Sequence, residues 1–312
     1  MGYASAMFDE IGKLSLPSKK VLDVGAQDVS ISSAAELESL NRFITDHNPG
    51  GEQLGIDKFP AMIEAREVYT KAGFSYTCID VDERPGTLRV DLARFEIPRP
   101  RGQYGLVVNV GTTEHLASPA ATFALMHEMC AEGGIFYHDV PLFGLGNHGL
   151  MNPTPKFWHA LIWMNEYNVR TVRVRTCDES AMDQGNFFHD YLDYMDGLRN
   201  IVSVSSLITV VLEKKFSWPF VVPFDAVFND DKRGLTLAKL LVGSYWPFIA
   251  TGAYSVQEVV AGINNFLKLN GQPFRFDSLT EFGVCEMNNP RLTKVPVQAS
   301  MLQTLAKKLG LR

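Results

Sequence analysis

The chain has 312 residues, of which 46% are hydrophobic and 21% are charged, and its formal net charge at pH 7 is −6. These proportions are those of a folded globular protein and exclude a mainly disordered chain or a long coiled coil. Because an acidic chain has no general attraction for phosphate backbones, we expect no nucleic-acid partner. The four cysteines form neither a CxxC metal motif nor a disulfide framework, which favours a reducing, cytoplasmic location.

Neither a signal peptide nor a membrane span is predicted. The first residues include Asp9 and Glu10 and lack an apolar core. Residues 240–257 are uncharged, but their glycines and Pro247 would interrupt a spanning helix. We therefore expect this segment to be buried or to face another subunit.

Short β-branched runs alternate with helical patterns through the first two thirds of the chain, which is typical of a parallel sheet covered by helices. A helix that follows Ser118-Pro119 is predicted to stop at Gly133-Gly134. Another helix is predicted over residues 61–73. The predicted strands cover residues 20–25, 76–80, 87–92, 105–109, 135–138, 168–175 and 207–212.

The composition changes after residue 216, where a segment rich in Pro and Phe leads into a mainly helical pattern. We place a domain boundary there, with an α/β domain over 1–216 and a helical extension over 217–312. The apolar run around Tyr245–Phe248 predicts that the extension is either a lid over the site or a homodimer contact.

Small or acidic residues stand directly after the first predicted strands. Gly25 ends the first strand, Asp80 the second and Asp91 the third, while the fourth runs into Asn109. Ligands of a parallel α/β sheet bind beyond the carboxyl ends of its strands, so we expect these residues to share one site.

The order of these motifs resembles that of the class I S-adenosylmethionine-dependent methyltransferases. The resemblance spans residues 18–216 and is carried by VLDVGAQDV, YTCIDVD, LRVDL, LVVNVGTTEHL and CAEGGIFYHDVP. It implies an α/β fold, with a seven-stranded, mostly parallel, Rossmann-like sheet and helices on both faces. Strand seven should lie antiparallel between strands five and six. The implied cofactor is S-adenosylmethionine, with S-adenosylhomocysteine as product.

The resemblance also implies which residues bind that cofactor. The loop after the first strand would hold the methionine part, and Asp80 would bind the ribose diol. Asp91 would face the adenine, and residues 109–112 the amino group. The implied cofactor-binding residues are Asp23, Gly25, Ala26, Gln27, Asp80, Val81, Asp91, Leu92, Asn109, Val110, Gly111 and Thr112.

Two alternatives stay open for this site. Gly55-Ile56-Asp57 is a rival second strand that would move the ribose acid to Asp57. In addition, a single glycine followed by Ala26-Gln27-Asp28 departs from the family's loop, which commonly has two or three glycines. The Asp28 carboxylate would add negative charge near that of the cofactor, so a catalytically silent binding module with a blocked cleft is the alternative function. A nicotinamide-dependent dehydrogenase is not favoured, because no G-x-G-x-x-G turn follows the first predicted strand.

We predict methyl transfer to a small-molecule acceptor, at a hydroxyl of a saccharide or secondary metabolite. A hydroxyl acceptor must lose a proton, and imidazole is a suitable base at neutral pH. The candidate bases are His115, His138 and His148, which follow or close the fourth and fifth strands. Since no ligand spacing such as HExxH occurs, no metal is expected. The aromatic insert around residues 187–195 is the predicted acceptor pocket.

Overall fold

The computed structural model describes residues 2–81, 84–93, 97–143, 148–177, 188–190, 205–223, 248–249, 251–269 and 277. The chain divides into two compact units, residues 1–227 with 244–254 and residues 228–243 with 255–312. In the second unit, the described helix covers Val256–Leu269 and begins with a capping box, in which the Ser255 hydroxyl accepts from the Glu258 amide and the Glu258 carboxylate accepts from the Ser255 amide. Most of the insert around 187–195 lies outside the described residues.

The strands of the described part are, in chain order, β1 (Lys20–Val24), β2 (Asp28–Ile31), β3 (Ala61–Glu64), β4 (Ser75–Ile79), β5 (Thr87–Leu88), β6 (Tyr104–Val110), β7 (Cys130–Phe143), β8 (Asn168–Cys177), β9 (Phe188–Asp190) and β10 (Ser205–Glu213). The helices are α1 (Ser5–Ile11), α2 (Ala34–His47), α3 (Ala65–Lys71), α4 (Ala120–Met129), α5 (Pro155–Met164) and α6 (Val256–Leu269), with a 3-10 turn at Thr113–His115.

The first unit is built on an eight-stranded sheet with the order β5-β4-β1-β6-β7-β10-β8-β9. Neighbours from β5 to β7 are parallel, whereas β10 lies antiparallel between β7 and β8. The predicted mostly parallel sheet and its antiparallel hairpin are therefore confirmed, with the short β9 as an added edge strand. Strands β2 and β3 form a separate antiparallel pair.

Helices cover both faces of the sheet. Side chains alternate between the two faces of a sheet along a strand, so consecutive residues of β7 contact elements on opposite faces. Ile135 and Tyr137 belong to a core that includes buried residues of α1, α2 and α3. Phe136 and His138 instead contact rings of the other face, from α5 and the turn after it, at Trp158 and Tyr167.

Three predicted boundaries are corrected. Helix α4 ends at Met129, where the backbone becomes extended at Cys130. The amides of Gly102 and Gln103 donate hydrogen bonds to the carbonyls of Glu128 and Met129, at 2.8 and 2.9 Å, so these carbonyls do not continue the helix. The predicted helix over 61–73 begins only at Ala65, since residues 61–64 pair with β2. The predicted strand over 87–92 pairs with β4 only at 87–88, and residues 89–92 are not part of a strand.

Residues beyond the predicted boundary at 217 pack within the first unit. The Asn165 amide donates to the Val221 carbonyl at 2.9 Å and accepts from the Val221 amide at 2.8 Å. His127 Nε2 donates to the Trp218 carbonyl at 2.6 Å. The boundary near 217 and the role of the extension stay predictions. No helix of the described residues is long and apolar enough to cross a membrane.

Phe8→Ala should lower the free energy of unfolding by about 3–5 kcal/mol, because it leaves a cavity in the core beneath the sheet. Phe8 is fully buried and its ring lies against those of Tyr3, Phe43 and Tyr69. Chemical denaturation measures the loss. The control is Met62→Ala, which removes a side chain that is 70% exposed and should change the unfolding free energy by less than about 0.5 kcal/mol. Equal effects of the two variants would contradict this packing.

Candidate functional site

An open cleft of about 770 Å³ lies at the carboxyl ends of β1, β4, β5 and β6. The parallel strands carry their ends to one edge, so residues far apart in the sequence meet there. The cleft is lined by Gly25, Gln27, Ile79, Asp80, Val81, Arg89, Val90, Asp91, Leu92, Gly111, Thr112, His115 and Leu116. Nine of these residues were predicted for the site, whereas Asp23, Ala26, Asn109, Val110, His138 and His148 do not line the cleft.

Gly25 brings the backbone after β1 close to the segment after β6. Its φ is +91°, a conformation that L side chains rarely adopt, and its amide donates to the Ile79 carbonyl at 2.8 Å. A Cβ at this position would overlap Thr112 Oγ1. Glycine is therefore required both by the backbone conformation and by the close approach of the two loops.

Asp80 ties the ends of β1 and β4 together. Its Oδ2 accepts a hydrogen bond of 2.6 Å from the Ala26 amide. The strand before it, β4, pairs in parallel with β1. The rival segment 55–57 is not a strand, and Asp57 is exposed and does not line the cleft. The geometry thus favours Asp80 over Asp57 as the acid beside a ligand in the cleft.

Asp28, which was expected to add negative charge near the cofactor, and its neighbour Gln27 both interact with other side chains. Asp28 lies at the start of β2 and forms an ion pair with Arg84, whose Nη1 is 2.8 Å from Asp28 Oδ1. Since the guanidinium offsets the Asp28 charge, this carboxylate does not repel an anion as a free one would. Gln27 lines the cleft, and its Nε2 donates to Thr112 Oγ1 at 3.3 Å.

Asp23 is a buried acid behind the Gly25 loop. It is fully buried, and its Oδ2 accepts a hydrogen bond of 2.7 Å from the Tyr76 hydroxyl. Burial raises the pKa of Asp23 from 3.8 to about 7, against the lowering effect of hydrogen bonds from Tyr76 and other neighbours, and the nearby Asp80 adds to the rise. Asp23 therefore changes charge near neutral pH.

His138 and Asn109 form a buried pair beneath the cleft. The Asn109 amide lies 3.2 Å from His138 Nδ1 and donates to Thr113 Oγ1 at 2.9 Å. Rings of Phe123 and Trp158 contact the imidazole. Burial lowers the pKa of His138 to about 3, so the ring is neutral at physiological pH. Its contacts are those of a histidine that holds β7 against the turn after β6.

The other two candidate bases lie together in what we call the Glu114 cluster, formed by Glu114, His115 and His148. The imidazole rings of His115 and His148 have centroids 4.9 Å apart, and His148 Nε2 is 3.5 Å from Glu114 Oε1. One ligand atom from each of the three residues lies within 4.8 Å of the others, a spacing that could hold a metal ion. His115 also lines the cleft, which places the cluster at its margin.

Sequence reasoning missed several residues of the site. Ile79, Arg89, Val90 and Leu116 line the cleft and lie within the motifs of the resemblance, but none of them was predicted to bind the cofactor. Glu114 was noted only as part of the motif. Position after a strand could have indicated Leu116, whereas Arg89 faces the cleft because β5 stops at Leu88.

The strand order decides the fold family. In the sheet, five parallel strands are followed by β10, which lies antiparallel between β7 and β8. The sequence resemblance predicted this arrangement. The chain has the class I methyltransferase fold. A nicotinamide-dependent dehydrogenase, whose sheet is all parallel, would lack this antiparallel hairpin.

Comparisons with known proteins found matches among solved structures. No protein-family model matches the sequence, and neither does the sequence of a curated protein. A SAM-dependent methyltransferase of Archaeoglobus fulgidus is 10% identical, with a TM-score of 0.41, over 67% of this chain and 92% of that one. Geranyl diphosphate C-methyltransferase of Streptomyces coelicolor is 10% identical, with a TM-score of 0.35, over 67% and 78%. At these scores the similarity carries no weight beside the strand order.

Asp23→Asn should make the protein more stable than the wild type at alkaline pH. Because folding raises the Asp23 pKa to about 7, wild-type stability falls as pH rises from about 4 to about 7, when the unfolded state has already lost this proton. Asparagine has no such proton and keeps an oxygen for the Tyr76 hydroxyl. Melting temperatures across this range should diverge as pH rises. A constant difference between variant and wild type would contradict the assignment, and Asp57→Asn, at an exposed site, is the control.

Proposed function

We propose that the chain is a cytoplasmic enzyme that transfers a methyl group from S-adenosylmethionine to a hydroxyl of a small-molecule acceptor, a saccharide or a secondary metabolite. The single observation that carries this proposal is the cleft at the carboxyl ends of β1, β4, β5 and β6. Its volume of about 770 Å³ is in the usual range for cofactor sites. Cys78 and Cys130 are free and buried, in keeping with a reducing compartment.

The residues of the cleft fit the cofactor. Gly25 leaves backbone open to a ligand where a Cβ would intrude. The Asp80 carboxylate at the end of β4 suits a ribose diol, which offers two hydroxyl donors. Asp91 stands farther along the same edge and suits an exocyclic amine. When bound, S-adenosylmethionine would supply an activated methyl group on its sulfonium.

The remaining work of the protein is to orient the acceptor and to take part in removing its proton. A hydroxyl becomes a better nucleophile when its proton is drawn away as the new bond forms. Of the three predicted bases, His115 lines the cleft and His148 stands beside it, whereas His138 is buried and neutral. We therefore assign the proton step to the Glu114 cluster. Leu150 and Met151, which are 70% and 43% exposed, supply apolar surface next to it.

Asp80→Ala should weaken binding of S-adenosylhomocysteine by about 10- to 100-fold, because the ribose diol loses a charge-assisted acceptor worth about 1.5–3 kcal/mol. Calorimetric titration of wild type and variant measures the change. Asp57→Ala removes the rival acid at an exposed position and serves as the control. If Asp57→Ala weakened binding and Asp80→Ala left the affinity unchanged, Asp57 and not Asp80 would be the ribose acid.

Methyl transfer itself is tested with S-adenosylmethionine labelled in its methyl group and a panel of saccharides and other alcohols. We expect label in an O-methyl product, and a larger loss of turnover than of cofactor affinity in His148→Ala and His115→Ala. His159→Ala, an exposed histidine of α5, is the matched control. Cofactor binding with no transfer to any acceptor class would favour the catalytically silent module.

A further inference from the structure

Two segments of the chain are fastened together at the Glu114 cluster. The Glu114 carbonyl accepts hydrogen bonds from the amides of Leu150 and Met151, at 2.6 and 3.0 Å. Gly149 has a φ of +79°, and a Cβ there would lie 2.9 Å from the Glu114 carbonyl oxygen. The segment carrying His148 is thus held against the turn that carries Glu114 and His115, so the proximity of the three side chains is built into the backbone.

The Glu114 carboxylate lacks the partners that a buried charge needs. Glu114 is fully buried, and neither of its side-chain oxygens has a hydrogen-bond partner among the described residues. His148 Nε2 likewise has none at hydrogen-bond distance. A buried ionised carboxylate without compensating partners is strongly destabilising. A cation at the point that these atoms share would remove that cost.

The neighbouring charges do not supply this compensation. Asp139 is the acid that lies near Glu114, and it adds negative charge. The cation beside it, Arg175, donates from Nη2 to Asp139 Oδ2 at 2.9 Å, and Thr209 donates to the other oxygen at 3.0 Å. The Asp139 carboxylate is therefore satisfied by its own partners, whereas Glu114 is not.

We propose that Glu114, His115 and His148 bind a divalent transition-metal ion of the zinc class. Two imidazole nitrogens and one carboxylate oxygen are the donors that such ions prefer, and they differ from the all-oxygen sets that hold Mg²⁺. Three protein ligands leave a coordination position for water or substrate. Because His115 lines the cleft, the open position would be accessible from the cleft.

For the role of the ion, this inference rests on the proposed function and deepens it. An acceptor hydroxyl that takes the open position would have its pKa lowered by the ion, and its proton would pass to solvent water. With the ion bound, both imidazoles are ligands and do not act as free bases. The acceptor class would then be hydroxyl compounds that can coordinate a metal.

Titration of chelator-treated, tag-free protein with ZnCl₂ tests the inference without an acceptor. We expect one ion per chain, and Co²⁺ in its place should give the visible absorption of a site with nitrogen and oxygen ligands. His148→Ala and Glu114→Gln should weaken binding by at least about tenfold, the loss that follows even from changes to outer-shell partners. His159→Ala, at an exposed position, should retain wild-type affinity.

The same preparations are titrated with S-adenosylhomocysteine and their melting temperatures recorded, so that a misfolded variant is recognised. Since His148 lies at the margin of the cleft and is partly exposed, His148→Ala keeps the test valid if Glu114→Gln fails to fold. Absence of zinc binding to the wild type, or equal affinity in wild type and His148→Ala, overturns the metal site. If S-adenosylhomocysteine still binds in that case, the proposed function stands without the ion. If zinc binds but S-adenosylhomocysteine does not, the metal site stands and the proposed function is wrong.

Discussion

The hydrogen bond from the Ala26 amide to the Asp80 carboxylate joins the ends of two strands whose bonded residues are 54 positions apart in the chain. It forms because parallel strands must deliver their carboxyl ends to one edge, where exposed amides and acidic side chains meet. Gly25 makes the approach sterically feasible, and its amide is bonded to the end of β4 as well. The cleft, the acid beside it and the approach of Thr112 all depend on this junction.

The acidic residues near the junction fall into two groups, those that pair with an arginine and those that do not. Asp28 has Arg84, and Asp139 has Arg175 and Thr209. Asp23 is buried and accepts a hydrogen bond from the Tyr76 hydroxyl, and burial raises its pKa to about 7. Glu114 is buried, and its carboxylate has no hydrogen-bond partner among the described residues. Acids that are under-compensated in this way are commonly found where a protein binds a ligand or ion, which is the basis of the metal proposal.

Much of the fold could be predicted from the sequence, because β1, β4, β6 and β10 are rich in apolar residues and each is followed by a glycine or a charged residue. The weaker elements could not. Strands β2 and β3 are only four residues each, too short for a sequence pattern to identify them as strands, so their pairing depends on tertiary contacts. The end of α4 at Met129 is set by amides at 102 and 103, which no local pattern around Gly133-Gly134 reveals.

The candidate site was predictable to the extent that it follows strand ends. Asp80, Asp91 and Thr112 line the cleft for that reason. The Glu114 cluster was not predictable as a unit, since His148 meets Glu114 through backbone bonds made by Leu150 and Met151. The charge of Asp28 was read as an obstacle because its partner, Arg84, is distant in the sequence and close in space.

Every functional role proposed for the chain requires that the cleft between Gly25 and Asp91 binds the cofactor. Calorimetric titration of the purified wild-type chain with S-adenosylmethionine and, separately, with S-adenosylhomocysteine measures this binding. We expect both compounds to bind at micromolar concentration, with one molecule per chain. If neither compound binds to a protein shown to be folded, the enzyme proposal is wrong and the chain is a binding or assembly module with this fold.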